Sequence, residues 1–198
     1  RCSGGSAAGL HIEIWCDAVP FHGGSRRRSV RENISMQPFK VAIAGLGTVG
    51  AETARIILTD GDMLSARAGR PIELKAVSAR DRNRDRGIDL AGVDWLDDAA
   101  ALAGRDDVDC VLELIGGSEG VAYDLVLGAV KSGKSVVTAN KALIAHHGSE
   151  IAKYCEEGNV GLGFEAAVAG GIPIIKSLRE GLAGNHIKRV YGILNGTC

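Results

Sequence analysis

Three glycines with the spacing G-x-G-x-x-G, at Gly45, Gly47 and Gly50, could hold a dinucleotide. A short apolar run, 41–44, precedes them, and a helical pattern that begins at Thr48 follows. In this arrangement the first glycine permits a tight turn, the second lets the backbone approach a pyrophosphate, and the third lets the helix pack close to the strand. The partial positive charge at the helix N-terminus then faces the phosphates. The residues expected to bind the cofactor here are Gly45, Leu46, Gly47, Thr48, Val49 and Gly50.

Arginines follow the second apolar run, 72–79, at the point where such a fold selects its cofactor. Dinucleotide-binding folds that prefer NAD usually place an acidic residue there, on the ribose 2′-hydroxyl. Arg80 and Arg82 suit a 2′-phosphate instead, because a guanidinium matches phosphate oxygens bidentately. Asp81 leaves NAD open as the alternative. We favour NADP, with Arg80 as a binding residue, and assign the later arginines of this segment to an exposed charged loop.

Two more strand patterns end in residues that suit a cofactor. In 113–118, ELIGGS, paired glycines let the backbone lie close to a ligand, and Ser118 could contact a ribose or cap the next helix. In 138–141, TANK, Thr138, Ala139 and Asn140 form the end of a strand and Lys141 opens a helix. A lysine there opposes the helix dipole and is an odd choice for stability alone. We therefore predict that Lys141 points toward the nicotinamide end of the cofactor.

The stretch 164–175, FEAAVAGGIPII, combines a carboxylate with a glycine pair. Glu165 follows the core of a predicted strand, and Gly170 and Gly171 free backbone carbonyls before the next helix. Convergent carbonyls plus a carboxylate suit a hard cation, which takes oxygen ligands. On the residues alone, an ordinary loop is the alternative.

The elements that would position these residues alternate between strand and helix. Strands are predicted over 41–44, 72–79, 109–117, 135–140, 160–168 and 186–196, and helices from Thr48 and over 119–133, 141–159 and 170–185, with a short one in 95–105. The segments 60–71 and 80–92 are predicted to be polar connections. This alternation predicts an α/β fold with a Rossmann-type doubly wound parallel sheet and right-handed crossovers. In such sheets ligands bind at the carboxyl ends of the strands.

The composition argues against several kinds of partner. A formal net charge of −1 gives no basis for binding nucleic acid, and no apolar run approaches the roughly 18 residues of a membrane span. Five irregularly spaced cysteines without a C-x-x-C pair indicate reduced thiols in the cytoplasm. Residues 1–35 are rich in Gly, Ser and Arg, so we expect a disordered or spurious extension before Met36. A transit peptide is the alternative, which the acidic residues there disfavour.

Five motifs taken together resemble one family. GLGTVG, ELIGG, TANKALIA, EAAVAGGIPII and GILNGTC occur in this order from about Lys40 to Cys198, and the string closely resembles the homoserine dehydrogenases. The resemblance implies an oxidoreductase that interconverts L-homoserine and L-aspartate 4-semialdehyde with NAD(P), on the branch to threonine and methionine. It also implies a homodimer in the full-length enzyme.

The same resemblance assigns roles to residues of this chain. Thr138 and Lys141 would contact the cofactor near the reacting centre, and Gly196 would also lie near it. Lys141 is the catalytic candidate. The family's sodium site would be matched, chiefly through backbone carbonyls, by Glu165, Val168, Gly170 and Ile172.

The motif order implies a division of the chain. Residues 36–168 would form the dinucleotide-binding domain, and 169–198 the beginning of a second, α+β catalytic domain. In the family, the acid–base lysine and the acidic residues that hold the substrate amino group follow the NGT motif. We therefore expect this sequence to be the N-terminal portion of an enzyme, which binds cofactor but turns over poorly by itself.

Two other functions are weighed against this interpretation. An aspartate-semialdehyde dehydrogenase shares the cofactor fold and the substrate but needs an activated cysteine. Cys110 lies in a buried strand pattern, Cys155 on a helix and Cys198 at the terminus, so none is poised for attack. A non-catalytic module that senses the nucleotide is the second alternative, and replacement of Lys141 would distinguish it.

Overall fold

The computed structural model describes residues 37–192, which alternate between strand and helix. The strands are β1 (Phe39–Ala44), β2 (Ile72–Ser78), β3 (Asp94–Leu96), β4 (Cys110–Glu113), β5 (Ser135–Thr138) and β6 (Leu162–Gly163). The α-helices are α1 (Thr48–Thr59), α2 (Gly61–Ala68), α3 (Val121–Lys131), α4 (Lys141–Glu157) and α5 (Ile174–Lys176). The described helices include none long and apolar enough to cross a membrane. The predicted extension 1–35 and the residue Gly196 lie outside the described residues.

The strands form one parallel sheet in the order β3-β2-β1-β4-β5-β6. This is the strand order of the Rossmann fold, in which the chain starts at the centre and winds outward in both directions. The predicted fold class is therefore confirmed. The central strands are short continuous apolar runs, such as Val41–Ala44, because a strand between two helical layers is buried on both faces.

Alternate residues of the central strands supply two cores. Ala42 and Ala44 point to the layer that contains α3, α4 and a 3₁₀ helix, Ala99–Gly104. Val41 and Ile43 point to the opposite face, where they pack with Ala54 of α1. Helices thus cover both faces, as expected for a doubly wound sheet. Burying each large side chain of these cores contributes about 1.5–3 kcal/mol to the free energy of unfolding.

Two segments between strands differ from their prediction. The connection 60–71 contains helix α2, which ends at Gly69 in the left-handed conformation (φ 75°). A glycine just past a helix with a basic last turn is a common stop signal, and it was available in the sequence. The segment 95–105 begins with β3, which pairs with β2 between Trp95 and Val77, before the 3₁₀ helix forms.

The chain after α4 is less regular than predicted. Only Leu162 and Gly163 of the predicted strand 160–168 pair with β5, and a 3₁₀ turn, Glu165–Ala167, follows at once. The helix predicted over 170–185 begins only at Ile174, after Pro173, and continues as a π-helical turn, Ser177–Gly181. Residues 186–192 form no strand, since they hydrogen-bond to no described strand and a lone strand leaves its backbone groups unpaired.

Candidate functional site

The carboxyl ends of four strands lie in one row across the sheet. Ala44 of β1 is in register with Ser78 of β2 on one side and with Glu113 of β4 on the other, and Glu113 is in register with Thr138 of β5. The loops that follow these residues therefore emerge at the same edge. This row brings together the glycine turn (45–50), the arginine loop (80–92), the ELIGG turn (113–117) and Lys141.

The three glycines of the β1–α1 turn differ in why a larger residue would not suit their positions. Gly45 has φ 96°, and a Cβ there would lie 2.5 Å from the carbonyl oxygen of Leu114. A Cβ on Gly50 would lie 1.8 Å from the carbonyl oxygen of Gly45, so only glycine lets α1 start this close to the turn. A Cβ on Gly47 would meet nothing within 4 Å. Packing within the chain does not require Gly47, and the open space beside it fits the close approach of a pyrophosphate.

The first turn of α1 leaves its positive end unneutralised. Its N-cap is Gly47, which provides no side-chain acceptor, and the first turn contains no acidic residue. Thr48 and Val49 are exposed, Val49 to 56% although it is apolar. Free backbone N–H groups with a helix dipole behind them form an anion-binding end. Gly47, Thr48 and Val49 therefore form an exposed end that a phosphate group can approach, and binding by all six predicted residues stays a prediction.

Arg86 holds the loop after β2 against the glycine turn. Its guanidinium donates from Nε to the carbonyl of Leu46 (3.1 Å) and from its two other nitrogens to the carbonyls of Arg84 (2.8 Å) and Asp81 (2.5 Å). Sequence analysis assigned Arg86 only to a charged loop. A contact over 40 positions leaves no local signal, so this role was missed. Arg80, the predicted binding residue, is exposed just beyond the end of β2.

A cavity of about 300 Å³ opens beneath this loop. Its apolar side includes Trp95 of β3, and the guanidinium carbons of Arg82 and Arg86 lie 5.8 and 5.4 Å from the centre of the Trp95 ring. Among the described residues, the Trp95 indole Nε1–H is buried without a hydrogen-bond partner. The cavity thus joins an aromatic surface and cationic groups, which are groups that bind a phosphorylated nucleoside.

Glu113 is a fully buried carboxylate at the end of β4. Its Oε1 accepts hydrogen bonds from the backbone N–H groups of Ile115 (2.8 Å) and Gly116 (3.1 Å), and its Oε2 accepts one from the hydroxyl of Thr138 (2.6 Å). Sequence analysis emphasised the glycines of ELIGG and overlooked the charge at the end of this buried run. Thr138 is itself fully buried, and its role as a cofactor contact stays a prediction.

Asn140 connects the turn after β5 to the turn after β4. Its Oδ1 accepts from the backbone N–H of Leu143 (3.1 Å) and caps α4, while its Nδ2 donates to the carbonyl of Gly117 (2.5 Å). The Asn140 backbone N–H donates to the Thr138 hydroxyl (3.0 Å). Sequence analysis treated Asn140 only as a strand end. An asparagine directly before a helical pattern is a capping signal that could have identified it.

Lys141 is the first residue of α4 and is exposed. The first turn of α4 contains no acidic residue, so nothing local offsets the repulsion between this cation and the helix dipole. Helix α3 begins after Gly120 without a side-chain cap, so Ser118 does not cap it. Ser118 is half-buried beside the ELIGG turn and stays a predicted ribose contact.

The predicted cation loop uses its carboxylate to start a helix. Both oxygens of Glu165 accept backbone N–H groups at the beginning of α5, from Ile175 (3.0 Å) and Lys176 (2.9 Å). Any cation here would therefore meet chiefly backbone carbonyls. Among residues 37–192, no backbone N–H donates to the carbonyls of Val168 or Gly170.

The two cysteines within the described residues are not activated as nucleophiles. Burial raises the pKa of the Cys110 thiol to about 12, with a smaller contribution from the charge of Asp109. Burial also raises the pKa of Cys155. A nucleophilic cysteine needs a lowered pKa, so neither residue fits the cysteine chemistry of the aspartate-semialdehyde alternative.

Comparisons with known proteins match this chain to one family of dehydrogenases. Residues 45–165 match the model of the homoserine dehydrogenase NAD-binding domain, and residues 173–198 match the homoserine dehydrogenase model. The crystal structure of a homoserine dehydrogenase from Thiobacillus denitrificans is similar to this chain with a TM-score of 0.69 and 41% identity, over 76% of this chain and 34% of that one.

Curated relatives show the same similarity. A homoserine dehydrogenase from Neisseria gonorrhoeae is 46% identical over 82% of this chain and 37% of its own length. One from Corynebacterium glutamicum is 48% identical over 79% of this chain and 35% of its own length. The chain thus spans little more than a third of these relatives. Since the matched NAD-binding model covers most of the described residues, the chain belongs to the homoserine dehydrogenase family.

Proposed function

We propose that the protein containing this chain interconverts L-homoserine and L-aspartate 4-semialdehyde with a nicotinamide cofactor. The observation that carries the proposal is the row of strand ends, where a glycine-rich turn and an exposed lysine lie at one edge of a sheet of this family. The cofactor supplies a hydride acceptor for the alcohol carbon of homoserine, and the alcohol loses its proton as the carbonyl forms.

Each part of the edge has a role in this proposal. The glycine turn and the N-terminus of α1 hold the pyrophosphate through backbone N–H groups. Ser118 contacts a ribose, and the turn that follows Thr138 lies against the nicotinamide end. Gly196 is carried over as a cofactor contact from the family resemblance alone. Lys141 is the catalytic candidate, because its ammonium group is exposed at this edge and lacks an acidic neighbour in its own helix turn.

We propose NADP rather than NAD as the preferred cofactor. Arg80 and Arg82 are exposed beyond β2, and Arg82 lies above Trp95 beside the basic cavity. A 2′-phosphate placed there would gain charge-assisted hydrogen bonds, which NAD cannot form. The side chain of Asp81 accepts the backbone N–H of Asn83 (3.0 Å), which partly occupies the carboxylate that NAD would need.

We also propose a sodium ion at the loop formed by Glu165, Val168, Gly170 and Ile172. The support is chemical, since the loop offers backbone carbonyl oxygens of the kind that hard cations bind. The carbonyls of Glu165 and Ile172 each accept a backbone N–H, and each retains a second lone pair. A melting temperature that is higher in sodium chloride than in choline chloride at equal ionic strength would support the site. Equal melting temperatures in the two salts would remove it.

We further propose that the full-length enzyme is a cytoplasmic homodimer. The free thiols of Cys110 and Cys155 are consistent with a reducing compartment. The dimer rests on the family assignment, and sedimentation of the complete protein tests it.

The decisive experiment expresses the complete open reading frame that contains this chain. Absorbance at the reduced-nicotinamide band is followed with L-homoserine and either NADP or NAD. We expect homoserine-dependent reduction, with NADP preferred, and a loss of about 100-fold or more in kcat for Lys141→Ala. A folded protein that binds NADP but reduces neither cofactor with homoserine would be a nucleotide sensor, and the proposal would be wrong.

A further inference from the structure

Glu113 is costly for the fold and cannot be explained by stability alone. A charged group taken out of water is tolerated only when hydrogen bonds replace its hydration, and an apolar residue in the same place is often as stable or more so. The neighbouring strands end in uncharged Ala44, Ser78 and Thr138 at the same level of the sheet. A carboxylate at this one strand end therefore calls for a reason beyond packing.

The carboxylate joins the turn after β4 to the end of β5. Its Oε1 holds two N–H groups of the turn after β4, and its Oε2 holds the Thr138 hydroxyl at the end of β5. The hydroxyl has a single hydrogen, which it gives to Glu113, and it accepts the backbone N–H of Asn140. Each hydrogen bond in this network therefore has a defined donor and a defined acceptor.

Asn140 completes the connection from the other side. Its amide nitrogen binds the Gly117 carbonyl, its amide oxygen caps α4 at Leu143, and the residue is only 6% exposed. The next residue in the chain is Lys141. The direction in which α4 begins, and with it the position of the lysine, therefore depends on bonds that run back to Gly117 and Glu113.

We propose that Glu113 and Asn140 are positioning residues, which lock the turns after β4 and β5 together and so fix Lys141 against the nicotinamide half of the cofactor. Neither residue needs to touch the cofactor. The inference rests on the proposed function, because it assumes that the nicotinamide half lies at this edge. It adds that the exposed lysine is held in place by a buried network beneath it.

The test compares two nucleotides in the complete protein. NADPH carries both halves of the cofactor, whereas adenosine 2′,5′-bisphosphate carries only the adenosine half. For Glu113→Gln and Asn140→Ser we expect the Kd of NADPH to rise about tenfold, and that of the bisphosphate to change less than about twofold. Fluorescence titration measures the first and calorimetry the second. Should Glu113→Gln fail to fold, Asn140→Ser, which keeps a capping hydroxyl, carries the test.

Asp98→Ala is the matched control. Asp98 accepts the N–H of Ala100 (2.9 Å) and caps the 3₁₀ helix that follows the edge strand β3. It should lower the melting temperature by about 2–4 °C, as loss of one cap does, and leave both Kd values unchanged. If Asn140→Ser weakens both nucleotides equally, general destabilisation explains it and the inference is wrong.

A double-mutant cycle asks whether the network acts through Lys141. In a Lys141→Ala background, Asn140→Ser should raise the Kd of NADPH by much less than tenfold, because the positioned group is already absent. The same tenfold loss in both backgrounds would overturn the inference. These readings use nucleotide binding alone, so an enzyme that binds NADPH but does not oxidise homoserine would refute the proposed reaction and leave this test standing.

Discussion

The loop after β2 and the turns after β4 and β5 emerge at the same edge of the sheet, but different contacts hold them. The loop after β2 is charged and mostly exposed, and the Arg86 guanidinium fixes it by bonds to three backbone carbonyls. The turns after β4 and β5 are held from below by Glu113 and Asn140, both buried. In the proposed binding mode, one cofactor half meets exposed cations and the other a hydrogen-bonded frame.

This difference predicts two kinds of response to substitution. Exposed charges act through a field that salt screens, so changes in the arginine loop should alter affinity gradually and leave the fold intact. Buried hydrogen bonds are directional and leave unpaired groups behind when broken. Substitutions at Glu113 or Asn140 should therefore alter both the position of the turns and the stability of the fold. The glycine turn touches both regions, because Gly45 packs against Leu114 and Leu46 accepts from Arg86.

The largest effect is expected at this shared turn. In Gly50→Ala the new Cβ would lie 1.8 Å from the Gly45 carbonyl oxygen, and the backbone on both sides must move. We expect a loss of about 3 kcal/mol or more in the free energy of unfolding, measured by urea denaturation. Binding of NADPH should disappear with it, since both regions lose their common contact.

Gly47→Ala is the matched variant at the same turn. No atom of the chain lies within 4 Å of the added Cβ, so the free energy of unfolding should change by less than about 0.5 kcal/mol. The Kd of NADPH should nevertheless rise at least about tenfold, because the methyl group occupies the approach of the pyrophosphate. Unchanged NADPH binding in Gly47→Ala would show that this turn does not hold the phosphates.

The sequence alone predicts some of these regions better than others. The sheet centre and the glycine turn follow from local rules, because an apolar run and a glycine register each act over a few residues. Glu113 and Arg86 were missed because their roles depend on partners that only the folded chain brings near. A charge at the end of an apolar run looks exposed until the neighbouring strand supplies Thr138.

The segment after α4 was mispredicted for a related reason. The pattern of 160–168 is apolar enough for a strand, but only two residues find pairing with β5 before the chain turns. The helix after Pro173 starts where Glu165 accepts its first N–H groups, a contact that spans ten residues. Periodicity measures the preference of a segment and does not reveal which backbone partners the fold supplies.

A smaller effect is expected at Arg86, where the contribution of its hydrogen bonds can be separated from that of its charge. Arg86→Ala removes three hydrogen bonds to carbonyls and should raise the Kd of NADPH about tenfold with little change in melting temperature. Arg86→Lys keeps the charge but cannot span the three carbonyls, so it should behave like alanine. Arg70→Ala removes a guanidinium at the other end of β2 and is the control. Wild-type affinity in Arg86→Lys would mean that only the charge matters.

A change of a few-fold is expected when an exposed charge of the loop is removed. Arg80→Ala and Arg82→Ala should weaken NADPH binding about threefold to fivefold at low salt and leave NADH binding unchanged, because only NADPH has the 2′-phosphate. In about 1 M salt, where the screening length is about 3 Å, the difference from wild type should shrink. Arg67→Ala, an exposed arginine of α2, is the control. Equal losses for NADPH and NADH would place the 2′-phosphate elsewhere.

The smallest effect is expected at the opposite end of the strand that carries Glu113. Cys110 begins β4, and burial raises its pKa to about 12, so its thiol is almost entirely protonated at pH 8. Only about one thiol in ten thousand is then the reactive thiolate. Iodoacetamide at pH 8 should leave Cys110 unmodified in peptide mass spectra and the Kd of NADPH unchanged, whereas urea-unfolded protein should react. Because the raised pKa keeps the neutral form, the labelling rate should stay low at pH 8, rise about tenfold with each pH unit and level off only near pH 12. Rapid labelling of native Cys110 that abolishes activity would contradict this chemistry and restore a cysteine-dependent mechanism.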